Sequence, residues 1–185
     1  MTKLKIDLNK GILENAEFIP SPNCDDRPKQ CEINLLVIHN ISLPPGKFGG
    51  PYINQLFSNT LDPDDDPFFK EINHLRVSSH LLIRRDGHII QYVPFHKRAW
   101  HAGVSEYDGQ DCCNDFSIGI ELEGTDMDEY EELQYQTLAN ITKLLLNTYT
   151  TLSSERITGH CHIAPDRKTD PGDSFDWEKY KELIS

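Results

Sequence analysis

The length and composition of this 185-residue chain are those of one globular domain. Hydrophobic residues make up 37% and charged residues 26%, and no apolar run approaches the roughly 20 residues that span a bilayer. The formal net charge of -12 would repel phosphate backbones. We therefore expect a single domain over residues 1–185, a monomer, with neither nucleic acid nor membrane as a partner.

The N-terminal part of the chain predicts an unexported protein. The first residues carry no apolar stretch and no small-residue cleavage site of the secretory type. The five cysteines are odd in number and Cys112 is adjacent to Cys113, which favours free thiols in a reducing compartment. We expect a cytoplasmic protein. Residues 1–30 are polar and rich in turn formers, and are predicted to wrap the surface.

The first central strand is predicted over residues 35–39, a short apolar run typical of a strand covered on both faces. Residues 41–77 then lack regular periodicity, and loops this long inside a compact domain are usually functional or mobile. Two strand-like segments, 80–85 and 88–94, flank Asp86-Gly87, a pair suited to a tight turn. This pattern predicts a hairpin.

Residues 116–123 alternate apolar and other side chains, which predicts a strand with Glu121 pointing away from its apolar face. A helical apolar stripe covers residues 128–149, and a second helix is predicted from about Asp176. Strands mixed with helices predict an α/β (α+β) domain, in which helices flank a central mixed β-sheet.

Three distant segments carry groups that suit a metal site: His39, Glu121 and the run 159–172. A catalytic zinc takes three N, O or S ligands from the protein and leaves one position open. His39, His160 and Asp170 would supply such a set. Each residue taken alone is only weak support for a metal site.

The run 159–172 also offers rival ligands, because spacing alone does not exclude Cys161, His162 or Asp166. Lys168 lies two residues before Asp170, and in an extended segment the two side chains would project to the same side. Its ammonium would then lie near the open position of the metal, where an oxyanion needs a donor.

Five segments of the chain resemble the AmpD family, the cytoplasmic zinc-dependent 1,6-anhydro-N-acetylmuramoyl-L-alanine amidases. The similar segments, in the same order and with few length changes, are 37–46, 76–87, 91–105, 113–126 and 167–172. The resemblance implies the mixed-sheet fold of peptidoglycan recognition proteins. It also implies cleavage of the amide bond between (1,6-anhydro-)N-acetylmuramic acid and L-alanine in muropeptides, during cell-wall recycling.

Site residues follow from the same resemblance, position by position. It implies that His39, His160 and Asp170 bind zinc, which favours His160 over its rivals, and that Glu121 and Lys168 are catalytic. Substrate-contacting positions are implied for two further residues, Asn40 and Arg76.

Two positions depart from the family pattern. Phe68 stands where relatives usually carry tyrosine, and Cys112 where they carry arginine. Two other functions stay open at this point: an exported amidase that acts on intact murein, and a recognition module of the same fold without catalysis. A recognition module has no need of Asp170, which favours the enzyme.

Overall fold

A six-stranded mixed sheet forms the centre of the protein, in a computed structural model that describes residues 4–185. The strands are β1 (Ile6–Asp7), β2 (Ile12–Leu13), β3 (Glu17–Phe18), β4 (Cys24–Asp26), β5 (Leu35–Ile41), β6 (Leu81–Ile83), β7 (Ile89–Gln91), β8 (Lys97–Ala99), β9 (Glu106–Tyr107), β10 (Gln110–Asp111), β11 (Ser117–Glu123) and β12 (Ile157–Gly159). The helices are α1 (Tyr52–Phe57), α2 (Phe69–Ile72), α3 (Glu132–Thr148), α4 (His160–Ile163) and α5 (Trp177–Ile184). The sheet order is β12-β5-β11-β6-β7-β3, which confirms the predicted mixed α/β architecture.

Strand β5 lies in the interior of this sheet, between the parallel strands β11 and β12. Its apolar residues Leu35, Leu36, Val37 and Ile38 are fully buried, as expected when both faces of a strand are covered. The predicted strand is confirmed and continues two residues further, to Ile41. His39 therefore lies within the strand and not at its end.

Strands β6 and β7 form the predicted hairpin. The turn is closed by two backbone hydrogen bonds, from Arg84 N to the His88 carbonyl and from Gly87 N to the Arg84 carbonyl, both 2.9 Å. Gly87 has a φ of +80°, which glycine adopts without strain. The residues that flank Asp86-Gly87 belong to the turn and not to the strands. Each strand is therefore three residues long, shorter than predicted.

Strand β11 is buried on both faces, which its alternating sequence did not predict. Ile118, Ile120 and Leu122 pack with residues of α3 and α5 in one apolar cluster, as expected. The opposite face, with Ser117, Gly119 and Glu121, is also buried, because the segment after β8 covers it. Glu121 is consequently an interior carboxylate, and this burial affects its chemistry.

The two longer helices cover the apolar face of the sheet. Helix α3 begins at Glu132, four residues later than predicted, and the Gln134 side chain closes its first turn by accepting a hydrogen bond of 3.1 Å from Glu131 N. Helix α5 begins where predicted: the Asp176 side chain accepts a hydrogen bond of 2.9 Å from Lys179 N. None of the helices within residues 4–185 combines the length and apolarity that crossing a bilayer requires.

Residues 4–30 and the segment 41–77 contain more structure than the sequence indicates. In the N-terminal segment β1 pairs with β2, β3 extends the main sheet beside β7, and β4 pairs with β8. The guanidinium of Arg27 donates to the carbonyls of Phe95, Asn114, Asp115 and Ser117, which ties this segment to the region before β11. Segment 41–77 forms α1 and α2, which pack on an apolar cluster beside β6 and β7. All five cysteines are free thiols, as predicted.

Candidate metal centre and active site

The carboxyl ends of three neighbouring parallel strands bring the site together. His39 of β5 lies directly opposite Glu121 of β11 in the strand register, and Gly159 at the end of β12 lies opposite Ile38. His160 follows Gly159 as the first residue of α4, so it comes next to His39. This edge of a parallel sheet is where α/β proteins commonly bind ligands.

Three ligand atoms form a nearly equilateral triangle at this edge. The Nδ1 atoms of His39 and His160 lie 3.0 Å apart, and each lies 3.0 Å from Oδ2 of Asp170. Zinc bonds of about 2.0–2.1 Å in tetrahedral geometry separate neighbouring ligands by roughly 3.3 Å. One ion could therefore contact all three atoms.

The chemistry of this donor set also fits zinc. The Nε2 atom of His160 lies 3.2 Å from the Ala102 carbonyl, which can only accept, so Nε2 carries a proton. In the neutral ring this leaves the lone pair on Nδ1. Burial lowers the pKa of His39 to about 4, so its ring is neutral near pH 7. Two imidazoles and a carboxylate make the ligand set of many catalytic zinc sites.

The rival ligands face elsewhere. His162 is exposed, with Nδ1 3.2 Å from the Thr158 hydroxyl, and Asp166 is exposed as well. Cys161 and His162 line a separate cavity on the other side of the Lys168 segment. Within residues 4–185, the His, Cys, Asp and Glu side chains that converge closely enough to share an ion are those of His39, His160 and Asp170.

Glu121 lies beside this triangle as a buried carboxylate with an unused oxygen. Its Oε2 is buried and has no hydrogen-bond partner. Burial raises the pKa of Glu121 well above its usual value, and the negative charge of Asp170 raises it further, while Lys168 opposes the change. A buried carboxyl with a raised pKa in a cleft is typical of a group that takes up and releases protons.

These groups line a cavity of about 370 Å³. The polar residues that line it are His39, Asn40, Ser42, Ser78, His101, Glu121, His160, Lys168 and Asp170. The apolar wall consists of Ile41, Leu43, Leu56, Phe57, Phe68, Ile72, Leu75, Val77 and Trp100. Most of that wall comes from the irregular segment 41–77, in which we expected a functional loop.

The two predicted substrate-contacting residues lie in different settings. Asn40 lines the cavity, and its amide donates to Asp126 Oδ1 at 2.8 Å and to the Pro171 carbonyl at 3.0 Å. Arg76 is exposed and donates to carbonyls of its own loop, on Asn73 and Leu75. Asn40 is thus held in place within the cavity wall, whereas Arg76 lies outside the group of lining residues.

Comparison with known proteins shows the family of this chain. Residues 29–173 match the N-acetylmuramoyl-L-alanine amidase family. The chain is 60% identical over 178 residues to the 1,6-anhydro-N-acetylmuramyl-L-alanine amidase AmpD of Escherichia coli K12, covering 96% of this chain and 97% of that protein. The chain belongs to the N-acetylmuramoyl-L-alanine amidase family. The resemblance seen in the sequence is confirmed, and the protein is an amidase.

Solved structures confirm the fold of the amidase. A crystal structure of a Se-Met AmpD derivative matches with a TM-score of 0.94 and 57% identity, over 98% of this chain and 99% of that one. Escherichia coli AmiD, solved with anhydro-N-acetylmuramic acid-L-Ala-D-gamma-Glu-L-Lys, matches with a TM-score of 0.61 and 28% identity, over 85% of this chain and 60% of that one. The overall fold is therefore shared with these amidases.

Sequence reasoning missed two cavity residues of this amidase, Trp100 and His101. Both lie in the segment 91–105 that resembles the family, and this position is the signal that could have singled them out. Of the two departures from the family pattern, Phe68 lines the cavity, and Cys112 is exposed beyond β10. A tyrosine at position 68, which the resemblance implies for relatives, would therefore place its hydroxyl in the cavity wall.

Proposed function

We propose that this amidase hydrolyses the bond between 1,6-anhydro-N-acetylmuramic acid and L-alanine in peptidoglycan fragments, with zinc held by His39, His160 and Asp170. The observation that carries the proposal is the 3.0 Å triangle of ligand atoms beside the unpaired carboxylate of Glu121. The names of the AmpD relatives and the AmiD complex support the choice of an anhydro-muropeptide as substrate.

A zinc ion bound by this ligand set would supply Lewis-acid chemistry, which acidifies water and polarises a carbonyl. The protein's own residues then move the protons. Glu121 takes a proton from the attacking water, and its raised pKa suits it to hold that proton and deliver it to the leaving amine of L-alanine. The same carboxyl thus serves as general base and general acid.

Lys168 lines the cavity together with Glu121 and Asp170. In our proposal its ammonium donates a hydrogen bond to the oxyanion that forms when water adds to the lactyl carbonyl. The oxyanion is the one group in the reaction that gains a full negative charge, so a cation placed there stabilises the transition state more than the substrate.

The non-reacting parts of the substrate have two kinds of surface to contact. The apolar wall, which includes Phe57 and Trp100, offers a face for the sugar, and burial there excludes water from the reacting bond. Asn40, fixed by its two hydrogen bonds, is proposed to hold a polar group of the substrate in the cavity. Arg76 is proposed to contact the substrate from the exposed rim.

A cytoplasmic monomer that acts in cell-wall recycling fits this substrate, because small muropeptides are soluble. The alternative is an exported amidase that cleaves intact murein with the same chemistry. Incubating the protein with purified anhydro-muropeptide and with intact sacculi, followed by mass spectrometry of the products, separates the two. We expect free peptide and anhydro-sugar from the fragment, at the higher rate. Faster release from sacculi would contradict the recycling role.

The proposed zinc requirement predicts that removing the metal abolishes turnover. After dialysis against a chelator, hydrolysis of anhydro-muropeptide should fall below detection, and one equivalent of zinc should restore it. The control is far-UV circular dichroism of the dialysed protein, which shows whether it stays folded. Full activity in a folded protein without metal would refute the proposal.

Lys168→Met should lower kcat by about 10²–10³-fold, the usual effect of removing one oxyanion donor. KM and zinc stoichiometry should change little, because the methionine side chain has similar length and the metal ligands are untouched. Lys168→Arg keeps the charge and should recover part of the loss. Equal kcat values for the methionine variant and the wild type would remove Lys168 from the catalytic role.

A further inference from the structure

His101 is a buried histidine that the proposed chemistry does not use. It follows β8, and its ring lies flat against β11 at Gly119, where an added Cβ would come within 2.5 Å of the His101 ring. Two contacts fix the ring. Its Nδ1 lies 2.9 Å from Nε2 of His39, and its Nε2 lies 3.2 Å from the hydroxyl of Ser117.

The contacts of Ser117, His101 and His39 determine which ring nitrogens carry protons, starting from Ser117. The Ser117 hydroxyl lies 2.5 Å from the Cys113 carbonyl, which can only accept, so Ser117 uses its single proton there. Ser117 must then accept from His101, which places a proton on Nε2 of His101. In a neutral imidazole the other nitrogen carries the lone pair, so Nδ1 of His101 is an acceptor.

The tautomer of His101 in turn determines the tautomer of His39. An acceptor at Nδ1 of His101 requires a donor in contact with it, so Nε2 of His39 carries the proton. Nδ1 of His39 then carries a lone pair, which points towards Nδ1 of His160 and Oδ2 of Asp170. In the neutral ring Nδ1 of His160 also carries a lone pair, and Asp170 offers a carboxylate oxygen. Three acceptor atoms therefore converge with no proton between them. Such an arrangement favours a cation.

We propose that His101 is a positioning residue of the amidase: together with Ser117 it holds His39 in the tautomer that binds zinc. This inference rests on the proposed zinc site. Without an acceptor at His101, His39 can carry its proton on Nδ1, inside the triangle, where it competes with the ion. Outer partners of metal-bound histidines typically change metal affinity by about 10–100-fold, through ring orientation and tautomer.

The tautomers can be measured without metal or substrate. Long-range ¹H–¹⁵N spectra of histidine-labelled, metal-free protein distinguish a proton on Nδ1 from a proton on Nε2. We expect the Nε2–H form for both His39 and His101. A proton on Nδ1 of either ring would overturn the inference. A wild-type protein that binds no zinc would instead refute the metal site, so the two failures are distinguishable.

Zinc affinity provides the second readout, by competition with a chromophoric chelator. His101→Leu removes the acceptor and should weaken zinc binding by about 10–100-fold. His101→Asn can place its amide oxygen where Nδ1 lies, and should stay within a few-fold of wild type. Equal weakening in both variants would mean that His101 only fills space, which overturns the inference.

Ser117→Ala covers the case in which His101→Leu does not fold. It removes the acceptor for Nε2 of His101 and leaves the ring in place. We expect a mixture of His101 tautomers in the metal-free spectra, together with weaker zinc binding. Unchanged tautomers and affinity in this variant would contradict the role assigned to the Ser117–His101 pair.

Discussion

Glu121→Gln should lower kcat by about 10²–10⁴-fold, the contribution typical of a general base, while the protein still binds one zinc ion. Glutamine has nearly the shape of glutamate, but it cannot accept a proton from water. Glu121 is paired with His39 in the strand register and is not among the three atoms of the ligand triangle, so the metal site should survive. Steady-state kinetics on an anhydro-muropeptide and metal analysis of the same preparation test both parts.

Glu123→Gln is the matched control, because Glu123 lies on the same strand and face and is also buried. Its carboxylate is engaged by Arg84 at 2.7 Å and by Gly49 N at 2.7 Å, away from the cavity. We expect this variant to lose stability and to keep kcat near the wild-type value. A Glu121→Gln protein with kcat within tenfold of wild type would remove the general base from the mechanism.

His39→Ala should abolish both zinc binding and amidase activity. His39 supplies one of the three ligand atoms, and a catalytic zinc site needs three protein ligands. The variant retains two. We expect zinc affinity to fall by more than the roughly 100-fold that marks the upper range for outer partners. Competition with a chelator measures the affinity, and product release measures the activity.

His162→Ala is the control for the histidine motif. His162 lies two residues after His160 but is exposed and contacts Thr158. We expect this variant to keep zinc and activity. If His162→Ala lost its zinc and His39→Ala kept it, the ligand set would have to be reassigned.

The elements that the sequence predicted well are those with strong local signals. The apolar run of β5 and the Asp86-Gly87 turn each specify their structure within a few residues. The two-residue strands near the N-terminus are too short to show a periodicity, and β3 forms by pairing with the distant strand β7. The covered second face of β11 likewise depends on a segment that precedes it in the chain.

The site shows the same division. Residue type and spacing indicated a metal site, yet they could not choose between His160 and His162. In a helix of 3.6 residues per turn, residues two apart project about 200° from each other, so α4 turns His162 away from the triangle. Apart from its position in the segment 91–105, His101 carried no signal in the sequence, since its partners, His39 and Ser117, come from the strands β5 and β11.

X-ray diffraction recorded on both sides of the zinc absorption edge, on crystals of protein purified without chelator, tests the metal site most directly. We predict a single anomalous peak about 2.0–2.2 Å from Nδ1 of His39, Nδ1 of His160 and Oδ2 of Asp170. A zinc peak bound by Cys161 or His162, with none at His39, would contradict the proposed centre and the chemistry built on it.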